Sequence, residues 1–165
     1  MKEISIVIEN FEKNEDVTGF DLLCVEKVEH IDKVTSCSLA TIILDNGKIV
    51  LRIKFEWKED SGIEESDFLY IPETATLFFR SKNQWGTIDI KNKTLKRHES
   101  SIWEPLIRNK GEYILIEDDL KAESTKLNGD KIDSVPIDPP TTSKEFEGWI
   151  EYNSPIFGRQ ILKTK

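Results

Sequence analysis

The sequence has few of the residues from which catalytic and metal sites are usually built. Only two histidines are present, His30 and His98, and their distance in sequence excludes a short two-histidine metal motif. The two cysteines, Cys24 and Cys37, lie at a spacing that matches no zinc or redox motif. Glycine-rich phosphate-binding loops and the G-x-S-x-G nucleophile motif are absent as well. The sequence therefore predicts a protein without catalytic residues, metal or cofactor.

Long apolar runs are also missing. Residues 1–12 contain no apolar stretch of signal-peptide length and no small-residue cleavage site. No segment approaches the roughly 20 apolar residues of a membrane helix. We therefore expect a cytoplasmic protein without membrane association, in which the two cysteines remain buried thiols.

The charge is high, negative and unevenly distributed. Of the 165 residues, 33% are charged, and 31 acids against 23 bases give a net charge of −8. Residues 1–75 hold 17 acids and 8 bases (net −9), whereas residues 76–165 hold 14 acids and 15 bases (net +1). The length predicts one globular domain over residues 1–165, with a proline-rich loop near residues 139–144. The negative charge disfavours non-specific binding to nucleic acid or anionic membranes.

Two segments concentrate the negative charge. Residues 9–32 contain eight acids against Lys13 and Lys27, and residues 56–67 contain six acids against Lys58. Such runs are most often solvated surface. Alternatively, they form a docking surface for a basic partner, where the opposite charge speeds encounter and fixes orientation.

Residues 39–57 give the clearest structural signal. Apolar residues occupy every second position from 49 to 57, and mostly charged residues alternate with them. This period of two predicts a strand with one buried and one solvated face. A second β-prone run covers residues 39–44, and Asn46-Gly47 lies between the two runs. Because Asn-Gly tolerates positive φ at both central turn positions, the pair predicts a type I′ β-hairpin.

Further short strands are predicted along the chain, separated by turn residues. They cover residues 76–80, 85–90, 94–98, 112–117, 131–137, 147–152 and 157–162. The pattern predicts a mainly β fold, an antiparallel sheet or meander that forms a sandwich or an open barrel with at most one or two short helices. Residues 21–32 fit both a helical face and part of a strand alternation, which leaves an α+β fold open.

Three consecutive acids, Glu117, Asp118 and Asp119, follow a short apolar run. They are candidates for metal ligands, for a surface that captures a basic partner, or for the solvated end of a strand. Acids further along the chain supply enough oxygen ligands for a divalent cation in principle. Yet no calcium-loop motif is present, and consecutive strand residues point to opposite faces. A metal-dependent enzyme therefore stays only as an alternative.

Basic residues interleave with aromatic residues in the middle of the chain: Arg80, Lys82, Lys91, Lys93, Lys96 and Arg97, beside Phe78, Phe79 and Trp85. This combination occurs in proteins that bind single-stranded nucleic acid. The acidic chain disfavours that partner, because such domains usually carry positive charge. The four tryptophans are expected to fill the core, with their indole N–H groups paired at its rim.

The acidic runs at residues 56–67 and 117–119, set among predicted strands and Asn-Gly turns, resemble the immunity proteins of bacterial polymorphic and contact-dependent toxin systems. The resemblance implies a non-catalytic protein that binds one toxin domain, often a basic nuclease, and blocks its active site. No family site residue carries over, because no family motif is present. An adaptor domain that pairs through an exposed strand edge is the other alternative.

In the immunity-protein interpretation, carboxylates pair with the basic groups that hold substrate phosphates, and exposed aromatic residues anchor the contact. The residues predicted to bind the partner are Glu59, Asp60, Glu64, Glu65, Asp67, Trp85, Trp103, Glu117, Asp118 and Asp119. Charge reversal at residues 117–119 is expected to slow association.

Overall fold

The computed structural model describes residues 3–59, 61–82, 84–99 and 104–165. Within these ranges the chain forms fifteen β-strands and one short 3-10 helix, η1, at Glu65–Asp67. Sheet 1 contains β1 (Ile4–Phe11), β2 (Leu22–Val25), β3 (Ser36–Leu44) and β4 (Ile49–Trp57). Sheet 2 contains β5 (Phe68–Ile71), β6 (Thr76–Ser81), β7 (Gln84–Asp89) and β8 (Thr94–Glu99). Sheet 3 contains β9 (Leu106–Asn109), β10 (Ile114–Glu117), β11 (Lys121–Thr125) and β12 (Lys131–Pro136). Sheet 4 contains β13 (Thr142–Phe146), β14 (Trp149–Ser154) and β15 (Gly158–Lys163).

The fold is mainly β, as the sequence predicts. Sheets 2, 3 and 4 are antiparallel meanders in which each strand pairs with its neighbour in the chain. Sheet 1 has the order β1-β3-β4-β2, and β2 joins it parallel to β4. The predicted strands in the second half of the chain are confirmed, with ends that shift by a few residues.

The four sheets stack face to face around three apolar cores. Sheets 1 and 2 enclose the first core, in which Phe55 and Phe79 have no exposed surface. The opposite face of sheet 2 packs on sheet 3 through Trp85 and Ile116. The other face of sheet 3 packs on sheet 4 around Tyr152. Sheets 2 and 3 are covered on both faces, and their strands β6 and β10 accordingly contain uninterrupted apolar runs instead of a simple alternation.

The predicted alternation of β4 is confirmed on the core side from Leu51 to Trp57, but Ile49 at the start of the strand is 54% exposed and not buried. Its residues Leu51, Ile53, Phe55 and Trp57 are fully buried. The opposite face is less solvated than the sequence predicts, since Lys54 is 6% exposed and its ammonium group lies 2.9 Å from the Glu56 carboxylate.

The hairpin between β3 and β4 is confirmed, but the predicted type I′ turn is wrong. The loop has three residues, closed by a hydrogen bond from Leu44 N–H to the Lys48 carbonyl (3.0 Å). Gly47 alone takes positive φ (77°), while the Asn46 side chain accepts the Lys48 N–H at 3.1 Å. This is the turn type in which a glycine in the left-handed region ends a three-residue loop.

Residues 21–32 contain strand β2 and no helix, which resolves the open α+β alternative in favour of strand. The side chain of Cys24 points into the first core, and its neighbours Leu23 and Val25 are exposed. The predicted proline-rich loop is shorter than expected, because Thr142–Phe146 forms strand β13. Both cysteines are buried thiols, and burial raises the pKa of the Cys24 thiol to about 12.

Candidate binding surface

The acids at residues 117–119 lie at the tight turn between β10 and β11. The Glu117 carboxylate accepts a hydrogen bond from the Tyr152 hydroxyl (2.6 Å) and pairs with the Arg108 guanidinium. Asp118 accepts the Leu120 N–H at 2.9 Å, which closes the turn. Asp119 is half-exposed beside them. Glu117 therefore joins sheet 3 to sheet 4, and Asp118 stabilises the turn.

The contact with Glu117 affects the tyrosine as well. Tyr152 is almost fully buried in the core between sheets 3 and 4. Burial of the phenol, together with its hydrogen bond to the Glu117 carboxylate, raises the pKa of Tyr152 well above its usual value. The neutral hydroxyl is thus the form that the fold stabilises.

The predicted binding acids at residues 59–67 are partly paired with basic side chains of the fold. The Glu59 carboxylate lies 3.1 Å from the Lys82 ammonium group, and Asp67 lies 3.6 Å from the Arg80 guanidinium. Glu64 and Asp67 form a capping box that begins η1. Glu65 is exposed. Asp60 lies outside the described residues.

The basic residues predicted between positions 80 and 97 are mostly paired with acids as well. Arg80 and Lys82 pair with acids at residues 59–67, as described above. In addition, the Lys93 ammonium group lies 2.7 Å from the Asp21 carboxylate, and that of Lys96 lies 3.5 Å from Asp130. The hydrogen bond from Lys93, followed by that from the Arg52 N–H, lowers the pKa of Asp21. These pairs neutralise much of the positive charge that suggested a nucleic-acid site.

The expectation that Trp85 is an exposed anchor is wrong. Its side chain is 3% exposed in the core between sheets 2 and 3, and its ring stacks on His98 at 4.2 Å. Trp57 is also buried and donates its indole N–H to Ser38 (2.7 Å), as expected for a core tryptophan. Trp103 lies outside the described residues. His98 itself is half-buried, and burial lowers its pKa.

One group of acids without a nearby cation lies on the outer side of sheet 1. Ser5, Val7 and Glu9 of β1 are exposed on the face opposite the first core. The segment that follows β1 crosses this same face, since the carbonyls of Lys13 and Glu15 lie 3.7 and 3.9 Å from the Cys37 sulfur. Within the described ranges, no cation lies at ion-pair distance from four exposed carboxylates, which we name the outer acidic face: Glu9, Glu12, Glu15 and Asp16.

No protein-family model matches the chain, and comparisons with curated proteins and with solved structures found no match. In the described part of the chain, no helix is long and apolar enough to cross a membrane. The same part holds no group of three or more histidine, cysteine or acidic side chains arranged to bind a metal ion.

The outer acidic face was only partly visible in the sequence. Its residues belong to the acidic run at positions 9–32, for which a docking surface was one of the two interpretations, but none of them is among the individual residues predicted to bind a partner. What distinguishes them from Glu59, Asp67 and Glu117 is the lack of a nearby cation in the fold. Sequence spacing does not carry that information, because the pairing cations come from distant strands.

Proposed function

We propose that this protein is a non-catalytic acidic binding protein that captures a basic protein domain on the outer acidic face. Its resemblance to the immunity proteins of bacterial toxin systems suggests the specific form, in which the partner is a toxin domain and binding blocks its active site. The observation that carries the proposal is the group of four exposed carboxylates without intramolecular cations. A cytoplasmic location is part of the proposal and fits two buried free thiols.

Charge alone would give this surface little affinity, since exposed ion pairs contribute only about 0–1 kcal/mol each. Carboxylates at the rim of a contact instead speed association and fix its orientation. Affinity requires apolar contacts, and the same face offers three exposed apolar side chains: Val7 (48% exposed), Leu23 (46%) and Val25 (37%). Val7 lies at one edge of sheet 1 and Leu23 and Val25 at the other, with the acidic segment between them. This face therefore matches a basic partner that also presents apolar side chains.

The test is co-expression with the product of the neighbouring upstream gene, followed by purification at low and high salt. We expect a 1:1 complex whose association slows as salt rises. Reversing three charges of the outer acidic face (Glu12→Lys, Glu15→Lys, Asp16→Lys) should slow association at least about tenfold, because electrostatic steering accelerates encounter by that order or more.

A matched control reverses three exposed acids elsewhere (Glu73→Lys, Glu112→Lys, Glu147→Lys), which changes the net charge equally. The control should keep most of the association rate. Absence of a complex would contradict the proposal. Equal slowing in both triple variants would show that net charge, and not this face, controls binding.

A further inference from the structure

β1 is the longest edge strand in the described fold. It pairs with β3 along Ile4–Phe11, and its other side lies at the end of sheet 1. The other strands at sheet edges have only four to six residues. Glu9 is the single charged residue of β1, which has no proline or lysine. Edge strands that must stay unpaired usually carry such blocking residues.

The first apolar core is open at this edge. Ile4, Ile6 and Ile8 pack against the core but stay half-buried. At the far end of β1 the core is closed, because the buried Ile63 accepts a hydrogen bond from the Asn10 side chain (3.1 Å). The opening is thus limited to the first part of β1. An additional strand there would cover the isoleucines and pair the free backbone groups.

The face of β1 that points away from the first core indicates which charge a strand added beside β1 would need. Val7 and Glu9 are exposed there, next to the segment that contributes Glu12, Glu15 and Asp16. Residues of a strand alternate between faces. A segment with apolar residues on one face and basic residues on the other would therefore match both faces of β1.

We propose that β1 accepts an extended segment of the basic partner as an additional strand of sheet 1. Apolar residues of that segment cover the three isoleucines, and its lysines or arginines lie beside Glu9 and the outer acidic face. The inference rests on the proposed function, since it names the element to which the partner binds. A second copy of this chain fits less well, because pairing β1 with itself would bring two acidic faces together.

The probe is a synthetic peptide of alternating lysine and valine, as long as β1, titrated into the intact protein. We expect saturable binding, with slower hydrogen exchange at those β1 amides that do not bond to β3. Two control peptides isolate the cause. One carries the same residues in two blocks, and the other is N-methylated at every amide, so it keeps charge and pattern but cannot donate hydrogen bonds. Both should bind at least about tenfold more weakly, a difference of about 1.4 kcal/mol.

A pair of protein variants locates the site. Val7→Lys places a blocking charge on β1, and Leu106→Lys adds the same charge at a similarly exposed position on β9 (46% exposed). Val7→Lys should lose about tenfold in affinity and Leu106→Lys should stay within about threefold of the parent. Should Val7→Lys fold poorly, Ser5→Lys on the same face replaces it.

Three results would overturn the inference. Equal binding of all peptides would show electrostatic attraction only, and unchanged exchange at β1 would place the peptide elsewhere. A dimer of the chain alone that Val7→Lys dissociates would show that β1 pairs with a second copy. None of these results depends on the co-expressed partner, so the proposed function can stand when strand addition fails.

Discussion

Replacement of Glu117 by alanine separates a structural acid from a binding acid. Its carboxylate accepts the hydroxyl of the buried Tyr152 at 2.6 Å. Losing a hydrogen bond to a charged group, with a buried hydroxyl left unpaired, costs about 1.5–3 kcal/mol. The pair with Arg108, whose side chain is 50% exposed, adds about 0.2–1 kcal/mol. Glu117→Ala should therefore lower the free energy of unfolding by roughly 2–4 kcal/mol.

The assay is thermal and urea unfolding followed by tryptophan fluorescence. For a chain of this length the expected loss corresponds to a Tm about 4–16 °C lower. Asp119→Ala is the matched control, because this half-exposed acid lies on the same turn, and it should change stability by less than about 0.5 kcal/mol. A cycle of Glu117→Gln and Tyr152→Phe should show a coupling energy of about 1 kcal/mol or more. If Glu117→Ala and Asp119→Ala behave alike, the structural role assigned to Glu117 is wrong.

Two further predictions concern packing and pH. A Cβ at Gly86 would lie 2.4 Å from a backbone oxygen and 2.5 Å from the Phe79 ring, so Gly86→Ala should cost about 1–3 kcal/mol in urea unfolding. Gly62→Ala, where the nearest atom is 3.4 Å away, should be nearly neutral, and equal effects would refute the steric reasoning. The raised pKa of Tyr152 stabilises the fold below the ordinary tyrosine pKa of about 10, and this contribution is lost as the pH rises through the folded-state pKa. Tyr152→Phe should make alkaline unfolding, followed by circular dichroism, depend less steeply on pH, and an unchanged dependence would contradict this assignment.

A strand could be predicted from the sequence when its burial appears as an alternation of apolar and polar residues within the strand itself. β4 has one core-facing side, so its alternation appears directly in the sequence. β11 has no such signal. It is an inner strand of sheet 3, and its polar residues Glu123, Ser124 and Thr125 are buried. Ser124 donates to the Lys163 carbonyl, a contact 39 residues away in the chain. β1 is different: its isoleucines alternate clearly, yet the sequence-based predictions omit this strand.

The candidate site could be predicted only as a composition. Acidic runs are visible in the sequence, but the partners of each acid are set by strand register. In the β5–β6 hairpin Phe68 lies opposite Phe79, so the residues just outside this pair, Asp67 and Arg80, are brought together. A one-residue change of register would separate them. For this reason several acids of the predicted sites at residues 59–67 and 117–119 are paired within the fold, whereas the outer acidic face lies on sheet 1.

The order of the sheets converts the uneven charge of the sequence into uneven charge along the stack. Sheet 1 lies at one end and is built from the half of the chain with net charge −9, whereas sheets 3 and 4 come from the half with net +1. A basic partner would be steered towards sheet 1, where the outer acidic face and the open edge of β1 lie together.

The outer acidic face and the edge of β1 should act on different steps of binding, because long-range charge governs encounter and desolvated contacts govern dissociation. Salt and charge reversal should therefore change mainly the association rate, and substitutions on β1 mainly the dissociation rate. Stopped-flow binding with both sets of variants would separate the two contributions, and a β1 variant that alters association alone would contradict strand addition.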